Sequence, residues 1–325
     1  VEIPARSQQI QESRRIYNWI AKLQFNLSPD HNIILGYIGS PQFGSEYGSG
    51  SGYSTTGSSN PYSSDLFAQH ISRSAQVHDL TAHYIGKFLD RKLQLDILYG
   101  FHYVHQEELH FSIDLQQIRY RAPGENPYSL ADFEIIPECL RRGQGAQSFN
   151  PCPVTDYTRG GFGQYTPLRT MQRHSLQASL TYFLRALGNH ALKLGLDFED
   201  GQLDNTKKYT GTDFDPGDPF SGRITWETDA TGGGLRISRG YALSRPNNFY
   251  GQPGVPCAGQ DGRFCYPDFR AETETRNWGL YLRDSWNFGP LPGLVLNAGV
   301  RWELQELFAT DHSRAIFLTD NVAPR

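Results

Sequence analysis

Apolar and polar positions alternate with a period of two in eight segments of this chain. In LVLNAGVRWE, residues 294 to 303, the positions Leu294, Leu296, Ala298, Val300 and Trp302 alternate with Val295, Asn297, Gly299, Arg301 and Glu303. Such alternation predicts a strand, because successive side chains leave the pleat on opposite faces. The first segment, RRIYNWIAKLQFNL, places Tyr17, Trp19, Ala21, Leu23, Phe25 and Leu27 on one face, and after SPDH the second, NIILGYIGS, aligns Ile33, Leu35 and Tyr37. VHDLTAHYIGKFL aligns Leu80, Ala82, Tyr84 and Phe88; LQLDILYGFHY returns with Leu93, Leu95, Ile97, Tyr99, Phe101 and Tyr103. HSLQASLTYFLRAL and HALKLGLDFE form a third pair, with Leu192, Leu194, Leu196 and Phe198 opposed to Lys193, Asp197 and Glu199. NWGLYLRDSW, which carries Arg283, pairs with LVLNAGVRWELQELF across FGPLPG.

The connections between these strands alternate between short and long. Tight turns join the members of each pair, whereas stretches of about 41–66, 106–172 and 201–272 separate the pairs. A sandwich gives no reason for this rhythm. Periplasmic turns and long extracellular loops do, so the fold class expected is all-β, part of a large antiparallel transmembrane barrel with an apolar face to lipid and a polar face to a wet lumen. Tyr17, Trp19, Tyr99, Phe101, Tyr103, Trp278 and Trp302 fall toward the long-loop ends, as the aromatics of an outer interfacial girdle would. With four short turns on one side, the first strand begins outside and the eighth ends outside. The 325 residues therefore read as a single partial barrel domain, a slice that lacks a closing strand.

Composition changes this picture little. Only 38% of residues are hydrophobic and the mean hydropathy is −0.53, yet a barrel strand needs only every second residue apolar. No run approaches the length of a spanning helix. Aromatics at 13% and 33 glycines suit strands and turns. A net charge of −4 argues against nucleic acid as a partner. The opening VEIPARSQQIQESRR has no apolar core, so any leader has been removed or the chain is a fragment.

Cys139 and Cys152, and Cys257 and Cys265, fall in two Gly- and Pro-rich stretches. Local disulfides formed in an oxidising compartment fit them, although three connectivities remain open. HYVHQEELH carries His102, His105, Glu107, Glu108 and His110, but an extended strand splits them between two faces and no helical zinc motif is present. TDFDPGDP, with Asp213, Asp215 and Asp218, offers oxygens for calcium without the downstream glutamate of an EF-hand. The Gly/Ser/Tyr-rich stretch from Gly44 to Tyr62 has the composition of an adaptable binding surface, or of a plain linker. No nucleophile elbow or P-loop appears, no cofactor is implied and no enzyme is expected. Lys193, Asp197, Glu199, Arg283, Asn297, Arg301 and Glu303 are the lumen-facing candidates, and simple solvation of the wall is their alternative.

Within the last pair, Tyr281, Asp284 and Trp286, followed by Gly299, Arg301, Trp302 and Glu303, resemble the barrel hairpin of TonB-dependent outer-membrane transporters. RRIYNWIAKLQFNLSPDHNIILGYIGSP resembles the Oar-like branch of that family. The resemblance implies a barrel of about 22 strands with its own plug domain, a TonB-type energising complex as partner, outer-membrane lipid around it and an extracellular solute inside. Neither plug nor TonB-contacting segment is recognisable in this sequence. The readings to be weighed are therefore transport of a scarce or bulky solute, a structural or adhesive barrel, and a secreted β-sandwich.

Overall fold

The computed structural model describes residues 11–47, 70–111, 113–123, 126–145, 148–211, 214–217, 227–228, 232–237, 239–247, 253–291 and 293–324. Twenty strands follow one another among them: β1 Ser13–Ile16, β2 Trp19–Ser28, β3 His31–Gly39, β4 Gln42–Tyr47, β5 His70–Phe88, β6 Leu93–His110, β7 Gln117–Arg121, β8 Tyr128–Ser129, β9 Pro153–Val154 and β10 Asp156–Gly160. The chain continues with β11 Gln164–Arg185, β12 Gly188–Tyr209, β13 Glu227–Thr228, β14 Gly234–Ile237, β15 Tyr241–Leu243, β16 Val255–Pro256, β17 Phe264–Tyr266, β18 Asp268–Phe288, β19 Val295–Phe308 and β20 Arg314–Pro324. Only short 3-10 turns interrupt them, and no helix among the described residues is long and apolar enough to cross a membrane.

Eleven of these strands make one antiparallel wall. β1 and β2 form one span broken at Tyr17 and Asn18, and β3 and β4 form its partner, broken at Ser40 and Pro41. The breaks face each other: Tyr17 N donates to the Pro41 carbonyl at 3.0 Å and Ser40 Oγ to Asn18 Oδ1 at 2.7 Å. β5, β6, β11, β12, β18, β19 and β20 follow in order.

All eight expected strands are present, and two expectations need correction. First, the strands run well past their apolar segments. β11 and β12 each have 22 residues, whereas about 10 suffice to cross the hydrocarbon. The extra residues are mostly polar on both faces, with Leu168, Met171 and Leu203 isolated among them, so alternation of hydrophobicity gave no sign of them. The connections of 41–66, 106–172 and 201–272 are accordingly shorter than expected, and β4 lies inside the first. Second, a further strand, β20, follows β19 through the turn at 309–313, so the last long-loop end is a tight connection. Register shifts between Glu303 and Gln305 and between Leu307 and Phe308 interrupt its pairing with β19, which breaks the period of two. The aromatics Tyr99, Phe101, Tyr103 and Trp278 stand part-way along these lengthened strands.

Apart from Ile71 in β5, the buried core lies outside the wall. Tyr157, Phe162, Ile136, Val154, Tyr266 and both disulfides cluster in the long connections, because the wall turns its apolar face outward. The connections knit into a cap. β7 and β10 from one long connection pair with β14 and β13 from the other, in the order β10-β7-β14-β13. β13 and β14 pair antiparallel, Glu227 opposite Leu235 and Thr228 opposite Gly234. Cys139 is bonded to Cys152 and Cys257 to Cys265, so the local pairing is the one formed. The cap meets the wall at RGGFG, 159–163, where Gly160 and Gly163 have φ of 82° and 95°, conformations open to glycine. There Gly161 N donates to the Gln116 carbonyl at 3.0 Å, and Gly163 N to the buried Thr210 Oγ1 at 3.0 Å.

Candidate functional site

The register sorts the wall into two faces. Leu180, Leu194, Leu282 and Val300 lie side by side across β11, β12, β18 and β19, as do Leu176, Phe198, Trp278 and Leu304. Leu194 is 55% exposed, Leu282 51% and Val300 47%, so no second sheet among the described residues covers them. A β-sandwich is excluded by that exposure. Trp19, Tyr99, Phe101, Tyr103, Trp278 and Trp302 all belong to this apolar face, with His78 and His174 beside them: Tyr37 Oη meets His78 Nδ1 and Tyr99 Oη meets His174 Nδ1, each at 2.7 Å. Tyr17 sits at the strand break and is exposed.

The opposite face is polar, and the seven candidates all fall on it. Lys193 lies opposite Arg283, Asp197 opposite Gly279, which pairs with Glu303, and Glu199 opposite Asn277. Asn297 lies opposite Ser285, and Arg301 opposite Tyr281. The structure joins three of them directly. Arg301 reaches across the bare Gly279 so that Nη1 meets Asp197 Oδ2, while its Nε donates to Glu303 Oε1 at 2.6 Å. A Cβ on Gly279 would stand 2.5 Å from Arg301 Nη2. Tyr281 lies under the guanidinium, 5.9 Å from ring centroid to Cζ, and fills the space left by Gly195. Lys193 and Arg283, adjacent cations, meet no carboxylate among the described residues.

The remaining motif residues act on the apolar face near the short turns. Asp284 Oδ2 pairs with His190 Nδ1 at 2.7 Å, and the Trp286 ring stacks on His190 at 4.9 Å while its Nε1 donates to the Leu187 carbonyl at 3.3 Å. Sequence reasoning missed His190. Its partner is 94 residues away, a pairing that only the strand register reveals.

HYVHQEELH stays within β6 rather than leading into a loop, and its ligand-like groups separate as alternation required. His102 pairs with Asp79 at 2.7 Å on the polar face, while His105 contacts Thr170 and Glu107 on the other. Glu108 bridges Arg73 and His110. Of the calcium candidates, Asp213 and Asp218 lie outside the described residues; Asp215 Oδ1 accepts from Gly217 N at 2.8 Å in a local turn. Most of the Gly44–Tyr62 stretch also lies outside them. In the cap, burial lowers the Arg119 pKa against the opposing pull of Asp156, and burial raises the phenol of Tyr241, packed between Tyr209 and Phe269.

An apolar exterior without a covering layer, a polar interior face, tight turns at one end and a disulfide-braced cap at the other define the wall of an outer-membrane barrel. The chain belongs to the family described as "Outer membrane beta barrel domain", whose profile matches residues 5–323. It is 25% identical to the TonB-dependent transporter Oar of Myxococcus xanthus over 99% of this chain and 30% of that protein. Among solved structures it is similar to FpvA of P. aeruginosa, bound there to heterologous pyoverdines, with a TM-score of 0.49 and 14% identity over 96% of this chain and 33% of that one. It is also similar to the ferric-catecholate import receptor Fiu of E. coli K12, with a TM-score of 0.44 and 10% identity over 96% and 43%. The chain thus spans about a third of the length of the relatives it matches.

Proposed function

We propose that this wall, with its polar face lining the lumen, belongs to a TonB-dependent transporter that moves a scarce or bulky solute across the outer membrane. The observation that carries the reading is the charged lumen wall. Arg301, Asp197 and Glu303 form a fixed clamp, and Lys193 and Arg283 leave two cations facing inward. Inward residues of a barrel tune what passes or hold a plug by ion pairs. The plug and the energising complex are partners implied by likeness to the Oar transporter, and outer-membrane lipid meets the apolar face. Cells carrying the full-length protein would be compared with cells lacking it for depletion of solutes from the medium, with and without an uncoupler. Energy-dependent depletion of at least one solute is expected. Depletion that is absent, or indifferent to the uncoupler, removes the transport reading.

A structural or adhesive barrel is the second reading, favoured by the cap. A cleft of about 710 Å³ there, walled by Tyr120, Tyr128, Phe133 and Arg141, is braced by the Cys139–Cys152 bond.

A further inference from the structure

The polar face holds a second constellation, higher on the wall and separate from the Arg301 clamp. Gln42, Ala75, Gln106, Arg169 and Asn205 stand in one cross-strand row over β4, β5, β6, β11 and β12. Above it run Arg14, Gly44, Arg73 and Glu108, and Lys207 stands two residues beyond Asn205 on the same face of β12. These rows bound a cleft of about 650 Å³ beneath the cap residue Phe162.

Charge in the cleft is distributed unevenly. Arg73 holds both Glu46 and Glu108, each at 3.2 Å, and Glu108 turns its other oxygen to His110 Nε2 at 2.8 Å. Glu107 turns its side chain to the opposite face of the wall, toward His105. The carboxylates are therefore engaged by groups of the wall itself. Among the described residues Arg169 and Lys207 meet no carboxylate, the Lys207 ammonium lying 5.9 Å from the centroid of the Phe269 ring, and Arg14 donates to an amide oxygen, that of Gln42, at 2.8 Å. An exposed guanidinium fork and a half-buried ammonium beside amide side chains match the oxygens of a phosphate or carboxylate.

We infer that this cleft binds a multiply charged oxyanion group, phosphate or carboxylate, through Arg169 and Lys207, with Arg14 at its rim. Arg73, pinned by two glutamates, is the fixed wall against which the anion rests. That the anion is part of a transported solute rests on the transport reading; the binding site does not.

The test is titration calorimetry on the full-length protein in detergent, with inorganic phosphate and with citrate as separate probes at low ionic strength. Saturable binding of at least one probe is expected, weakened tenfold or more in R169Q/K207Q and unchanged in R91Q, which removes a cation beside the short turns. The probe that binds names the oxyanion class. R169Q alone, at an exposed position, gives the same readout with a smaller loss if the double variant assembles poorly. Binding of neither probe, or equal binding by R169Q and wild type, overturns the proposal. Oxyanion binding that depends on Arg169 in cells without energy-dependent uptake refutes transport alone. Uptake with binding indifferent to Arg169 refutes the cleft alone.

Discussion

Replacing Arg301 with glutamine removes the cation that joins Asp197 to Glu303 on the polar face. Its side chain is 16% exposed, and those of its partners are 31% and 49% exposed. A fully solvated pair contributes about 0.2–1 kcal/mol, and breaking a fully buried one costs about 3–5 kcal/mol. The clamp lies between these limits and nearer the first, because both carboxylates retain water. Arg301→Gln should therefore cost about 1–2 kcal/mol, a factor of about 5–30 in the folding equilibrium. A double-mutant cycle with Asp197→Asn isolates the cross-wall part. The full-length protein in detergent would be unfolded in urea, followed by tryptophan fluorescence, with heat-modifiable mobility as a check on assembly. A coupling energy of about 1 kcal/mol is expected, with Asp197→Asn less harmful once Arg301 is gone. Effects that add to within about 0.3–0.5 kcal/mol would show that the clamp is a contact without energetic consequence.

Leu194→Arg, at an exposed position of the apolar face, should cost about 2–4 kcal/mol and reduce the folded barrel recovered from membranes, while Lys193→Leu beside it should leave recovery near normal; equal effects would count against the assignment of faces. Gly195→Ala places a methyl group into the ring of Tyr281 and should cost about 1–3 kcal/mol in the same urea assay. Cys139→Ser should open the 13-residue bridge and forfeit about 3 kcal/mol of cap stability, seen as faster proteolysis of the cap while the wall stays heat-modifiable. Burial raises the Tyr241 phenol above its ordinary value of 10.0. The folded cap thus keeps a proton that the unfolded chain gives up, so its contribution is complete below about pH 10 and is lost as pH climbs toward the folded value. Ultraviolet titration of phenolate in wild type and Tyr241→Phe should show one late-titrating tyrosine removed by the substitution.

The membrane-crossing parts of the wall were legible because lipid on one side and water on the other impose a period of two. LVLNAGVRWE and HALKLGLDFE carry that signal almost without interruption. Above the membrane both faces meet water, so β4 and the upper halves of β11 and β12 read as loop. β20 was hidden by its two register shifts. The lumen candidates share a face, as alternation required, but which of them touch was not legible. Arg301 and Asp197 are 104 residues apart and meet only because Gly279 between them has no side chain. The His190–Asp284 pair and the Arg169–Lys207 cleft likewise depend on neighbours set by register. The disulfides were readable as local pairs, and the structure selects that connectivity from three.

The shared sheet of the cap has a mechanical consequence. β7 comes from the connection between β6 and β11, and β14 from the one between β12 and β18, yet the two are hydrogen-bonded from Ile118 opposite Ile237 to Arg121 opposite Gly234. Two loops sewn together in this way cannot swing as separate flaps. Any displacement of one loop that keeps the seam between β7 and β14 intact therefore carries the other with it.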